Sequence, residues 1–198
     1  MPRGKNNKLT TPDLILLSLL TEKPMHGYQA NAELERRQIR DWASISRPQL
    51  YYCMDKLARA GLIRAAEDEA PAEGPERRIF RTTKRGLAAL AGALERPDWA
   101  TTRERPLFLT WMALSWQARP GVFARQIRQR QEFLERELAR EKKTLEAVRA
   151  EVGHDFHEAV WMIKLVIEQF RTELRWLREV KQEGHKRAPA RHPQIIPR

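Results

Sequence analysis

Between Phe156 and Leu177 the chain sets Phe156, Val160, Ile163, Ile167, Phe170, Leu174 and Leu177 at alternating steps of four and three. Only an α-helix gathers such positions onto one stripe, and a stripe this long must be covered by another helix. The pattern predicts a last helix over about 155–183. The segment before it offers a neighbour, a helix over about 121–151 with Ile127, Leu134, Leu138, Leu145, Val148 and Val152 at sevens, fours and threes, broken by Gly153. Val166, Trp176 and Val180 add apolar surface away from the stripe, more than one neighbour can cover. A second copy of the chain would cover it, so the seven stripe residues are expected to serve dimerisation.

The first half of the chain has a different grammar. Residues 11–21 predict a helix with Thr11 as N-cap, Pro12 in the first turn, an apolar run from Leu14 to Leu20, and Pro24 as the stop. A second helix runs from His26 or Gly27 to about Gln38, and Trp42 and Ile45 in the following connection are expected to anchor the turn to the core. Ser46-Arg47-Pro48-Gln49 opens a third helix with a capping box. Leu50, Cys53, Met54 and Leu57 share its inner side. Pro48, Gln49, Tyr52, Asp55, Lys56 and Arg59 face out, with Tyr51 at the border and Gly61 as a left-handed end. Strand signals follow at Leu62-Ile63 and at residues 77–82, separated by an acidic, proline-containing stretch. Three helices and then a β-hairpin is the order of a winged helix-turn-helix.

Thr83–Leu94 predicts a fourth helix and residues 107–117 a short apolar one. The fold class expected is mainly α: a winged helix-turn-helix domain over 9–95, a linker over 96–104, an antiparallel helical dimerisation domain over 105–183, and a basic tail over 184–198, Pro-rich and expected to be disordered or weakly anchored.

Charge narrows the function. The 198 residues carry a formal net charge of +11, with 17 Lys/Arg against 13 Asp/Glu up to residue 99 and 20 against 13 beyond it. Both halves are basic, which points to a polyanionic partner. One cysteine, Cys53, rules out an internal disulfide and a Cys-based zinc site, and reads as a small core residue before a redox sensor. "LILLSLL" is too short to span a bilayer and lacks a signal-peptide context, so a cytoplasmic, nucleoid-associated protein with no membrane partner is expected. No nucleophile-base set, phosphate-cradling loop or metal spacing stands out, so no enzyme, cofactor or metal is expected. His154 and His157, beside Asp155 and Glu158, read as helix-start residues before metal ligands.

Double-stranded DNA fits the third helix. A recognition helix sets its N-terminal residues against base edges in the major groove. Gln49 can pair two-pronged with adenine, and Arg47 with guanine or phosphate. Ser46 stands at the same helix start, and Tyr51, Tyr52 and Lys56 would hold the backbone. Tyr28 divides between phosphate contact and bracing the core. Glu67, Asp68, Glu69, Glu73 and Glu76 make the wing tip acidic, so Arg77, Arg78 and Arg81 on the return strand are expected to touch DNA while the tip points away. The competing readings are a solvated helix face, a sequence-indifferent nucleoid-type binder, and a helical protein-protein adaptor.

The apolar first helix, "PMHGY" at 24–28, "LYYCMDKLARAGLI" at 50–63 and "RRIFRTTKRG" at 77–86 together resemble the PadR family of bacterial transcriptional regulators. The resemblance covers roughly 9–95, and the helix pair beyond looks like the longer C-terminal domain of one subgroup. Tyr52 replaces the usual proline, Pro48-Gln49 stands where a Gly-Thr pair is common, and Phe80 replaces the wing tyrosine, so no known operator carries over. The resemblance implies a winged-helix homodimer joined through its C-terminal helices, usually a repressor and sometimes released by a small molecule. Tryptophans at helical spacing are ordinarily core or interface residues. The sharper expectation is that Phe108, Trp111, Met112, Trp116 and Trp161 border an apolar pocket for an aromatic or cationic effector, as some PadR relatives have.

Overall fold

A computed structural model describes residues 8–66, 78–103 and 106–189. The chain divides into two compact units, Met1–Arg103 and Glu104–Arg198.

The apolar run organises the first unit. In α1 (Thr11–Glu22) every residue from Leu14 to Leu20 except Ser18 is buried. A helix apolar all round has to be surrounded. Here α1 packs against α2 (Gly27–Arg36), α3 (Arg47–Arg59), α4 (Lys84–Leu94) and β2 (Phe80–Thr82). Its N-cap is Thr10 rather than Thr11. The Thr10 backbone N–H and hydroxyl both donate to Asp13 Oδ2 at 2.7 Å, and an acidic side chain at the third helical position can close that box only from residue 10.

β1 (Ile63–Ala65) pairs antiparallel with β2 in the register Ile63 with Thr82, Arg64 with Arg81 and Ala65 with Phe80. A further rung was not visible in the sequence: Met25 exchanges both backbone hydrogen bonds with Phe80, at 3.1 and 3.0 Å. One residue carries no alternation to read, yet it explains why α1 stops at Glu22, since Met25 has to run extended. α3 ends as expected at Gly61, whose φ of 67° allows Leu62 N–H to reach Leu57 O and Gly61 N–H to reach Ala58 O, both at 2.9 Å. α4 starts where the chain is tightest. Thr83 Oγ1 accepts from Gly86 N–H, and a Cβ on Gly86 would lie 2.1 Å from Leu62 O.

Two expectations change here. Trp42 does not anchor the turn: it is exposed, while Ala43 and Ile45 beside it are buried. Of the stretch read as a linker over 96–104, residues 96–103 carry α5 (Asp98–Thr101) and fall in the first unit, where Trp99 Nε1 donates to Ala93 O at 2.8 Å. Its prolines suggested open chain, but Pro97 suits the entrance to a helix.

The second unit holds α6 (Leu107–Leu114), α7 (Val122–Val152) and α8 (Glu158–Glu183). α6 is shorter than expected, giving way to a 3-10 turn at Ser115–Gln117. α7 and α8 form an antiparallel hairpin through Gly153, and Arg130 spans it with two bonds to Glu173, at 2.7 and 2.9 Å. His157 Nδ1 accepts from Ala159 N–H at 3.1 Å and caps α8, so the helix starts after Phe156 and leaves that residue 77% exposed.

Apart from Phe156, the stripe is covered within the chain. Val160, Ile163, Ile167, Leu174 and Leu177 are buried, and Phe170 packs on the cluster around Ile127 and Leu134 of α7. Within one chain α7 covers the stripe from Val160 to Leu177, since a four-three stripe is as wide as one helix. Part of the tail is anchored too: Arg187 Nη2 donates to Ser115 O at 2.9 Å, with its guanidinium 4.0 Å from the Phe123 ring centre. Residues 190–198 of the tail lie outside the described residues. Among the described residues no helix is long and apolar enough to cross a membrane.

Candidate nucleic-acid interface

α3 presents one buried and one outward side. Leu50, Cys53, Met54 and Leu57 are at most 4% exposed, whereas Ser46, Arg47, Pro48, Gln49, Tyr52, Asp55 and Arg59 are exposed, Tyr52 to 68%. Ser46 caps the helix: Gln49 N–H donates to Ser46 Oγ at 3.3 Å, and Ser46 N–H donates to Gln49 Oε1 at 2.8 Å. That second bond changes the reading of Gln49. Its carbonyl oxygen already holds the helix start, which leaves one lone pair and the side-chain NH2 for a base.

Tyr51 and Lys56 are occupied as well. The Tyr51 ring is half-buried where α2 crosses α3; a Cβ on Gly27 would lie 2.7 Å from its Cε1, so the "HGY" glycine makes room for this ring. Arg47 stands 6.0 Å from the ring centre. The Lys56 ammonium pairs with Asp13 of α1, whose side chain is fully buried. Burial pushes the Asp13 carboxyl up, but the Lys56 ammonium and the two Thr10 donors outweigh it and hold the group below its usual value. Cys53 lies beside the same carboxylate. Burial first, then that negative charge, push its thiol up to about 12, which makes it an inert core thiol.

Around α3 the placements are mixed. Tyr28 is 55% exposed at the start of α2 and stacks on His26 at 5.2 Å, so its outer edge is free while its base is braced. His26 opens α2 by donating its backbone N–H to Gln29 Oε1 at 2.8 Å. On the wing Arg78 is exposed, and Arg81 is half-buried directly across from Arg64. Arg77 and the acidic tip lie outside the described residues.

Two contributors were not singled out from sequence. Arg59, one turn beyond Asp55, joins Tyr52, Asp55, Lys56 and Ala60 in lining a shallow concavity of about 370 Å³. Its outward position was legible, its company was not. Arg40 donates to Ile45 O at 2.9 Å and Asn31 Oδ1 at 2.8 Å, tying the turn between α2 and α3. No local signal marks a bond to a carbonyl five residues on.

In the second unit the expected pocket residues separate. Phe108 and Trp111 of α6 stack at 5.2 Å, Trp111 stacks on Phe123 at 5.7 Å, and Phe108 meets Trp176 edge-on at 6.4 Å; Met112 packs on the same cluster. Trp116 is 38% exposed beyond the end of α6. Trp161 is not part of this group. It lies fifteen residues before Trp176 on α8, roughly 22 Å along the axis. Trp176 takes the place the sequence reading gave to Trp161. His154 and His157 each accept a backbone N–H, from Phe156 and Ala159, and Asp155 is held by Arg149 and Lys164, so these residues build the hairpin turn.

Residues 16–92 match the sequence model of the Transcriptional regulator PadR-like family. No curated protein matches the chain. Among solved structures it is similar to Bacillus subtilis PadR in complex with operator DNA, at a TM-score of 0.72 and 15% identity, covering 88% of this chain and 97% of that one. It is also similar to a PadR-like transcriptional regulator from Bacillus cereus, at 0.67 and 18%, covering 89% and 100%. Bacillus subtilis PadR in complex with p-coumaric acid matches at 0.50 and 16%, covering 86% and 96%. Residues 16–92 of this chain thus match the PadR-like transcriptional-regulator model, in a chain that shares the fold of solved PadR proteins along most of its length.

Proposed function

We propose that the protein is a homodimeric, sequence-specific DNA-binding repressor that reads an inverted repeat with α3. The observation that carries this is the outward row Arg47, Gln49, Tyr52 and Arg59 on a helix whose opposite side is sealed in the core. Arg47 supplies a guanine or phosphate grip, Gln49 its side-chain amide, and Tyr52 with Pro48 an apolar surface suited to a thymine methyl. Tyr28, Arg78 and Arg81 supply backbone contacts. The solved complex of Bacillus subtilis PadR with operator DNA supports the mode of use. With α7 filling the inner stripe, the dimer contact passes to the outer face of α8, where Trp161, Met162 and Leu165 are exposed.

Two recognition helices would meet half-sites about 34 Å apart. A mobility-shift series from about 50 to 200 mM salt tests this: affinity falls by about a thousandfold or more if six or more phosphates are neutralised. Binding that ignores salt, or competitor DNA that abolishes all fragment preference, refutes it. For the effector, the aromatic cluster of Phe108, Trp111, Met112, Phe123 and Trp176 is the proposed site, supported by the p-coumaric acid complex of Bacillus subtilis PadR. Quenching of tryptophan fluorescence by a phenolic acid or planar cation, lost in Trp111→Leu, is the expected result.

A further inference from the structure

We propose that Lys56 is a positioning residue of the DNA-binding surface: through the buried carboxylate of Asp13 it sets the rotation at which α3 is presented, and it makes no phosphate contact itself. The inference rests on the DNA-binding reading above. By periodicity Lys56 belongs to the outward side of α3, one turn from Tyr52, yet its ammonium is turned in to Asp13 and its side chain is only 19% exposed.

The far end of this strut is fixed. Asp13 sits in the first turn of α1, and the same Oδ2 that meets Lys56 accepts both Thr10 donors at 2.7 Å. α1 is itself held on every side by the core. The other contacts of α3 with the core come from Leu50, Cys53, Met54 and Leu57, with Tyr51 and Ala58 packed at its margin. Apolar packing of this kind has little directionality and tolerates a few degrees of roll. The Ser46–Gln49 box ties α3 only to its own first turn and has no say in its angle. The Lys56–Asp13 pair is directional and joins two helices. With side chains reaching about 5–6 Å from the axis, a roll of about 10° carries the tips of Arg47 and Tyr52 about 1 Å, beyond the roughly 0.5 Å that a recognition site tolerates.

The chemistry also argues against a merely stabilising role. Two charges withdrawn from water seldom add net stability over apolar residues of the same volume, and what such a pair offers is geometry.

The test uses the full-length protein and an inverted-repeat duplex that the wild type has selected from genomic fragments. Binding is followed by fluorescence anisotropy at several salt concentrations, with thermal melts alongside. Lys56→Met and Asp13→Asn are each expected to weaken binding at least tenfold. The slope of log K against log salt stays unchanged in Lys56→Met, whereas Arg78→Ala, the phosphate-contact control, lowers it by about 0.9. A slope lowered by about 0.9 in Lys56→Met overturns the proposal. So does wild-type or tighter binding by Asp13→Asn, which frees the lysine. Should Lys56→Met fail to melt cooperatively, Asp13→Asn carries the test alone, because asparagine keeps an acceptor for Thr10. A wild type that selects no fragment removes the DNA-binding reading and this proposal with it, and that outcome is seen before any variant is made.

Discussion

Gln49 and Lys56 show how one residue can look like a reader of DNA and act first as a part of the scaffold. Both fall on the outward side of α3 by spacing, but a capping box takes the oxygen of one and a buried carboxylate takes the ammonium of the other. Tyr52 is 68% exposed, and the proposed reading gives it a base contact beside Arg47. Tyr52→Ala should therefore relax sequence preference by about 1–3 kcal/mol at its base pair while leaving the melting temperature unchanged, as competition between matched and mismatched duplexes will show. Asp13→Ala should cost about 3–5 kcal/mol in urea unfolding, because it strands the Lys56 ammonium and removes the cap of α1. The sign of the pH dependence follows from the same chemistry. Asp13 titrates below its ordinary value when folded, and Glu33, held chiefly by Arg36 and then by Arg37, is lowered from 4.5 to about 2. A depressed folded value gives stability that is present above the unfolded value and lost as pH falls through the folded one. Stability should decline between about pH 4.5 and 2, and Glu33→Gln should flatten that decline in acid titrations followed by circular dichroism.

Elements were legible where local chemistry and packing agree. The capping box of α3, its Gly61 terminator and the Thr83 start of α4 were all readable, because each is a short-range hydrogen-bonding pattern with its own residue preference. Gly86 carries a second requirement that no local rule contains: the Leu62 carbonyl passes where its Cβ would be. Gly86→Ala should destabilise the first unit, although a helical glycine replaced by alanine ordinarily stabilises by about 0.4–1 kcal/mol. A melt lowered by several degrees is the expected reading. The Met25 rung, the cap at Thr10 and the helix inside the supposed linker were missed. The Met25 rung is decided by Phe80, far off in sequence, whereas Thr10 with Asp13 and Trp99 with Ala93 are local pairs that neighbouring residues, Thr11 and the prolines, obscured.

At the scale of the molecule the proposed dimer needs a surface for a second copy. The inner stripe of α8 is closed by α7, so Ile167→Ala should behave as a core truncation, costing about 2–5 kcal/mol without changing association. Leu165→Glu on the outer face should do the reverse, yielding a folded monomer in sedimentation and a protein that shifts DNA far more weakly. If Leu165→Glu stays dimeric, another surface joins the two copies. From sequence alone came the mainly helical class, the winged helix-turn-helix order, the long hairpin and the basic, outward third helix, since periodicity, caps and charge are properties of a few turns of chain. Only the tertiary structure decided that the stripe faces its own hairpin partner, that Trp176 and not Trp161 completes the aromatic cluster, and that Lys56 answers to Asp13. Periodicity tells which side of a helix is apolar or charged, and the identity of whatever meets that side depends on residues dozens of positions away.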